Sequence, residues 1–327
     1  MTVPGQRASI ALRLANPAFR LVCQSTWRWY RNDLDGLRRS LDRGREASNL
    51  LARVASGCHI TDGELNGLST RVFAPRNLKS GRTVLYLHGG GFITYPRAAY
   101  PAFLSRLATE LQAKVIVPAY RLAPEHPFPA AIDDCLHAYE ALLDAGQAPD
   151  QLIVAGESAG ANATLVTLQR ARDAGLPTPA GAVMMSGGFD FSWASPSVHT
   201  NARRDVAIGP RGLAMLQQWY RPDADSRDPL VSPVFGDFTG LPPLLFQTGD
   251  GELLRDDSVR AAERARAAGV SVRLEVYPMA PHAWHQLGTW LPETRTALRQ
   301  IGRFAAIGCG WYAARLPVTI PPPRRAS

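Results

Sequence analysis

Five residues, Gly156-Glu157-Ser158-Ala159-Gly160, constrain this chain more than any other feature. They follow the apolar run Leu152-Ile153-Val154-Ala155 and precede Ala161-Asn162-Ala163-Thr164-Leu165, which reads as the start of a helix. A Gly-x-Ser-x-Gly pentapeptide between a strand and a helix forces a tight turn. The glycines let the two elements cross closely, and Ser158 projects its hydroxyl from the apex as a nucleophile elbow. Upstream, Thr83-Val84-Leu85-Tyr86-Leu87 reads as a strand and runs into His88-Gly89-Gly90-Gly91-Phe92, a loop type that supplies N–H donors to an oxyanion. The two loops carry complementary chemistry, each at the end of a strand, and together they point to acyl transfer.

The rest of the chain fits one large α/β domain. Its 327 residues, 46% of them hydrophobic, can bury a single core with a small cap and need no second full domain. From His59 onward, short β-like runs alternate with helical segments: Ser69 to Phe73, Thr83 to Leu87, Lys114 to Val117, Leu152 to Ala155, Gly181 to Met185, Leu244 to Thr248 and Val272 to Tyr277. This alternation predicts an α/β fold with a mostly parallel central sheet flanked by helices, its ligand crevice at the C-terminal rim of the strands. Residues 1–57 are helical in pattern, carry Trp27, Trp29 and Tyr30, and read as an N-terminal helical cap segment. The α/β domain spans 58–316, with the strand rhythm broken over 186–241 by a cap insertion, and 317–327 reads as a disordered tail.

Composition narrows the function classes. The formal charge is +8, almost all of it arginine, with Lys79 and Lys114 as the only lysines. The densest basic stretch, Arg28 to Arg53, is interleaved with Asp33, Asp35, Asp42 and Glu46. Leu34, Leu37, Leu41, Leu50, Leu51 and Val54 recur there at helical spacing, as on an amphipathic helix rather than a nucleic-acid-binding face. Cys23, Cys58, Cys135 and Cys309 are too scattered for a disulfide framework or a zinc site. No apolar run approaches the ~20 residues that span a bilayer, and Arg13 and Arg20 interrupt any signal-peptide core. The expectation is a cytoplasmic protein without metal, cofactor or nucleic-acid partner.

Four blocks in order carry a family resemblance. They are His88 to Phe92; Tyr120-Arg121-Leu122-Ala123-Pro124-Glu125-His126-Pro127-Phe128-Pro129-Ala130; Gly156 to Gly160; and Glu252-Leu253-Leu254-Arg255-Asp256-Asp257 followed by Pro281-His282-Ala283-Trp284. Over about residues 59–310 the chain resembles the hormone-sensitive-lipase-like branch of the α/β-hydrolase superfamily, the bacterial carboxylesterases and their relatives acting on lactones and acetyl esters. It departs from the usual pattern at Glu157, where many members have Asp, and at Ala161, where many have Gly. The first 55 residues carry no matching motif.

An acyl-transfer site needs a nucleophile, a base, an acid that fixes the base's tautomer, and oxyanion donors. Ser158 is the expected nucleophile, and in this fold the acid and then the histidine follow it in sequence. After the strand at Leu244 to Gln247, physics alone leaves Asp250 and Glu252 both open as the acid, while Asp256 and Asp257 read as first-turn helix residues. The resemblance selects Glu252, and it selects His282 over His285 as base. The backbone N–H groups of Gly90, Gly91 and Ala159 are the expected oxyanion donors, because a Cβ would block close approach to the substrate oxygen. His88, Tyr120, Arg121, Asp133 and Asp134 read as scaffolding behind the site.

The resemblance implies a serine carboxylesterase for short to medium acyl esters or lactones, a small-molecule substrate and a homodimer. Phe92, Tyr95, Trp193, Trp219 and Trp284 are its expected substrate-pocket residues. The same apparatus also serves acyltransfer and elimination, and a fold retained for binding alone is the remaining alternative.

Overall fold

Among the described residues of the computed structural model, eight strands form one sheet in the order β1-β2-β4-β3-β5-β6-β7-β8. The structure describes residues 7–29, 33–40, 54–79, 81–95, 100–221 and 223–311, without the side chains of 24–29. β1 (Cys58–Leu65) and β2 (Leu68–Pro75) make an antiparallel hairpin. It closes on Asn66-Gly67, both at positive φ (46° and 85°), the conformation a two-residue turn needs to match strand twist. β2 runs antiparallel to β4 (Lys114–Pro118). β3 (Thr83–Leu87), β5 (Leu152–Glu157), β6 (Gly181–Met185), β7 (Leu244–Gly249) and β8 (Val272–Tyr277) continue in parallel from β4.

β1 is absent from the strands that the sequence pattern suggests. It is an edge strand with most of its side chains exposed, including Asp62 and Glu64, so it lacks an apolar signature. Charge on an exposed edge discourages pairing with another chain.

β3, β5, β6 and β7 are buried along their whole length because helices cover both faces. Leu85 and Leu87 pack toward α3 (Ala130–Asp144) and α4 (Ala159–Asp173), with α7 (Arg255–Ala267) on the same face. Val84 and Tyr86 pack toward α2 (Tyr100–Leu111) and α8 (Pro292–Arg303). The alternation is the period-two geometry of a strand. Parallel strands put their C-terminal ends on one rim, where the loops after β3, β5, β7 and β8 meet.

Helical segments lie outside this frame. Between β6 and β7 the chain forms α5 (Pro196–Thr200), α6 (Pro210–Tyr220) and a short turn at Pro233–Phe235. At the N-terminus, α1 (Ile10–Trp29) is held along its first half. Its start is held by Ser9, whose N–H and hydroxyl donate to the Glu293 carboxylate at 2.7 and 3.0 Å. Leu12 packs among Tyr277, Trp284, Leu291 and Ala297. Further along, Asn16 donates to the Met279 carbonyl, and the Arg20 guanidinium donates to the carbonyls of Arg203 and Arg204. A further helical stretch, 34–40, buries Leu37. The expected tail at 317–327, the apolar positions Leu41, Leu50 and Leu51, and the side chains of Trp27, Trp29 and Tyr30 lie outside the described residues.

Candidate active site

Ser158 sits at φ 54°, ψ −120°, between the last residue of β5 and the first of α4. Such a conformation is costly for a residue with a Cβ and holds only where the surroundings enforce it. Two close approaches do so. A Cβ on Gly156 would lie 2.2 Å from the Gly160 carbonyl oxygen, and one on Gly160 would lie 2.0 Å from that of Leu87. Glycine at both positions lets helix, strand and the end of β3 meet, and the Ser158 N–H donates across to Met185 at 2.9 Å.

The hydroxyl of Ser158 is 2.9 Å from His282 Nε2, and His282 Nδ1 is 3.0 Å from Glu252 Oε2. Glu252 is fully buried, and its other oxygen accepts the Gly249 N–H and, at 2.9 Å, the Ser186 hydroxyl. Ser186 also accepts the Ala283 N–H at 3.1 Å, so one serine ties the acid to the histidine loop. Burial pushes the Glu252 carboxyl above its ordinary range, opposed by its bond to His282 and by the Gly249 N–H. For His282, burial works against the charged ring, but the bond to Glu252 and the charges of Glu252, Asp205 and Glu157 outweigh it and raise its pKa. With the Nδ1 proton held by Glu252, Nε2 is an acceptor aimed at the Ser158 hydroxyl.

This geometry separates the candidates that the sequence left open. Asp250 accepts the Met279 N–H at 2.8 Å and pairs with Arg204, and among the described residues it makes no hydrogen bond to a histidine. Asp256 accepts the Ser197 N–H, and Asp257 accepts those of Phe189 and Asp190, so both anchor the insertion to α7. His285 is fully buried with Nε2 on Gln247 at 3.0 Å, and burial pushes it down to about 3, leaving it a neutral core residue.

On the other side of Ser158, Gly90 (φ 115°) and Gly91 (φ 67°) turn the loop after β3. A Cβ on Gly90 would fall 2.3 Å from the Thr94 carbonyl oxygen. Among the described residues, the N–H groups of Gly90, Gly91 and Ala159 donate to no protein acceptor, as donors kept for a ligand oxygen would be. The loop is fixed from behind. Glu157 accepts the Gly89 N–H at 2.7 Å and the Tyr100 hydroxyl at 2.5 Å. Tyr120 donates to the His88 carbonyl at 2.6 Å, and the His88 ring stacks between Tyr95 and Tyr120. Arg121 makes a two-pronged pair with Asp134. Arg38, from the 34–40 stretch, binds Glu125 and the carbonyls of Ile93 and Ala123, so it clamps the N-terminal segment to this loop.

The aromatic residues divide. Tyr95, Trp193 and Trp219 are partly exposed. A cleft of about 430 Å³ beside the glycine loop is lined by Arg38, Thr94, Tyr95, Leu122, Glu125 and His126. Phe92 and Trp284 correct the sequence expectation. Phe92 is fully buried, stacked on Tyr220 at 4.2 Å, and Trp284 is fully buried against Tyr277, His285 and the base of α1. A ring closed off from solvent lines no accessible pocket, and both serve as core.

Three contributors go unseen in the sequence reading. Asp205, buried in the insertion, accepts the Leu253 N–H at 2.8 Å, next to Glu252. Asn201 donates to the carbonyls of Asp250 and Glu252. Ser186 is the third. None belongs to a motif, and their only signal is an unusual number of small polar residues in a segment that must bury them.

Residues 84–286 match the α/β-hydrolase fold family. An acetyl-hydrolase of Streptomyces hygroscopicus is 36% identical over 300 residues, covering 91% of this chain and 99% of that protein. An esterase of Acinetobacter venetianus is 36% identical over 223 residues, 68% of this chain and 74% of its own length. Among solved structures, a mutant of the esterase E40 superposes with a TM-score of 0.86 at 30% identity, over 92% of this chain and all of that one. An esterase from the bacterial hormone-sensitive lipase family gives 0.85 at 31% identity, over 93% and 100%. The chain therefore belongs to the α/β-hydrolase fold family and, within it, to the bacterial hormone-sensitive-lipase-like esterases, as a carboxylic ester hydrolase.

Proposed function

We propose that the chain hydrolyses short to medium acyl esters or lactones through an acyl-enzyme on Ser158. The observation that carries this reading is the continuous line from Ser158 through His282 to Glu252, with three unengaged N–H donors beside the same hydroxyl. His282 takes the Ser158 proton as the hydroxyl attacks the ester carbonyl, and Glu252 stabilises the imidazolium that forms. The N–H groups of Gly90, Gly91 and Ala159 receive the oxyanion. His282 then returns the proton to the leaving alkoxide, and water activated by the same ring releases the acid. Helix α1 and the 186–241 insertion together form the cap over the rim, supported by the bonds from Arg20 to Arg203 and Arg204. Tyr95, Trp193 and Trp219 are its proposed pocket residues.

Hydrolysis of p-nitrophenyl acetate, butyrate, octanoate and palmitate, with free acid quantified, tests the reading. Activity is expected on the shorter esters, with kcat lower by about 10⁴-fold or more in Ser158→Ala. Equal turnover by the folded variant, or product without free acid, refutes it.

A further inference from the structure

We propose that the outer face of α1 docks on an anionic lipid bilayer. The helix carries apolar residues on two opposite sides. The inner side buries apolar Leu12 against β8 and α8, with the polar Asn16 beside it bonded to the loop after β8. On the outer side Ile10, Leu14 and Leu21 are 77%, 75% and 72% exposed, with exposed Pro17 between them. Their i, i+4, i+7, i+11 spacing places all four on one stripe of an α-helix. A helix facing only water turns a polar side outward, and α1 does not. Met279 and Trp290, 41% and 38% exposed, lie next to contacts of the inner side: Asn16 holds the Met279 carbonyl, and Leu291, which follows Trp290, packs with Leu12.

Charge selects the partner. Residues 1–32 contain five arginines and no aspartate or glutamate. Arg7 and Arg13 are exposed beside the stripe, and Arg20 rests on carbonyls. Among the described residues none of the three pairs with an acid. A second copy of the chain meeting the same face across a two-fold axis would bring these arginines against their own counterparts. Anionic head groups turn the same charges into attraction while the apolar stripe enters the acyl boundary, as in interfacial helices. Among the described residues no helix is long and apolar enough to cross a membrane, so the contact lies in the surface plane. Because Arg20 is bonded to the insertion, the docking face adjoins the cap, where apolar esters held in the bilayer would be met.

Flotation of the purified full chain with vesicles tests this. Vesicles of phosphatidylglycerol and phosphatidylcholine in equal parts are expected to carry the protein, and phosphatidylcholine alone or raised salt to release it. The double variant Leu14→Glu, Leu21→Glu should bind at least about tenfold more weakly, and Arg13→Gln about fivefold more weakly. Both should keep the thermal unfolding midpoint of the parent, since the substituted side chains face solvent. The proposal is overturned if the parent stays unbound on anionic vesicles or if the double variant floats equally well. It is also overturned if the parent is a dimer that the double variant dissociates while neither floats, which would assign the face to a second copy.

Discussion

The two sides of Ser158 are held in place by different means. On the glycine-loop side the constraint is shape: positive φ at Gly90 and Gly91, approaches that leave no room for a Cβ, and the stack of Tyr95, His88 and Tyr120. On the other side it is charge, with His282, Glu252 and Asp205 arranged as one buried group, all with displaced titration. The first arrangement is built from neighbouring strands within residues 88–157. The second draws on 186–205, 249–257 and 282, so it depends on the insertion being seated. A side held by shape should respond to substitution without changing how activity depends on pH. A side held by charge should change both.

The largest separation is expected from Glu252→Gln, which keeps the side-chain volume but lets Nδ1 of His282 lose its proton-accepting partner. A loss in kcat of about 10⁴-fold is expected from the wrong tautomer, together with a displaced pH profile. Unchanged activity would return Asp250 to consideration. On the other side, Gly90→Ala forces the backbone away from the Thr94 carbonyl and misdirects the oxyanion donors. The expected loss is about 10²- to 10³-fold in kcat, with the pH midpoint of kcat/KM unmoved. A moved midpoint would show that the two sides are coupled.

The same contrast explains what the sequence could reveal. The elbow and glycine loop are local, since a few consecutive residues determine their own backbone, and so they are recognisable as strings. The parallel frame follows from apolar runs of the right length, whereas β1 escapes because an exposed edge strand has no apolar period. Glu252 and Asp250 are two residues apart in one turn, and only the direction in which each side chain leaves that turn distinguishes them. Phe92 and Trp284 show the limit for aromatic rings. An aromatic beside a motif can face either the cleft or the core, and the partners that decide, Tyr220 and the base of α1, are far away in sequence. Asp205 and Ser186 act through contacts 48 and 66 residues distant, for which no spacing rule exists.

Asp205 offers the finest test of the charge-held side. Its Oδ2 fixes the Leu253 N–H beside the acid, its Oδ1 caps the N–H groups of Ala207 and Ile208, and its charge contributes to raising His282. Glu252 and Glu157 face the ring with the same sign, so Asp205 is one contributor among three. His282 must be neutral to accept the Ser158 proton, and activity therefore rises with pH as the ring deprotonates. A raised pKa places that rise at higher pH. Asp205→Asn removes one of the charges favouring the imidazolium, which lowers the pKa and moves the acid limb of kcat/KM down, by about one pH unit at most. The substitution also leaves an amide facing one of three backbone donors, so a modest loss of stability and plateau activity is expected. That loss alone would leave the midpoint in place. A midpoint unchanged between the parent and a folded Asp205→Asn would mean that the insertion only supports the acid turn and does not tune the base.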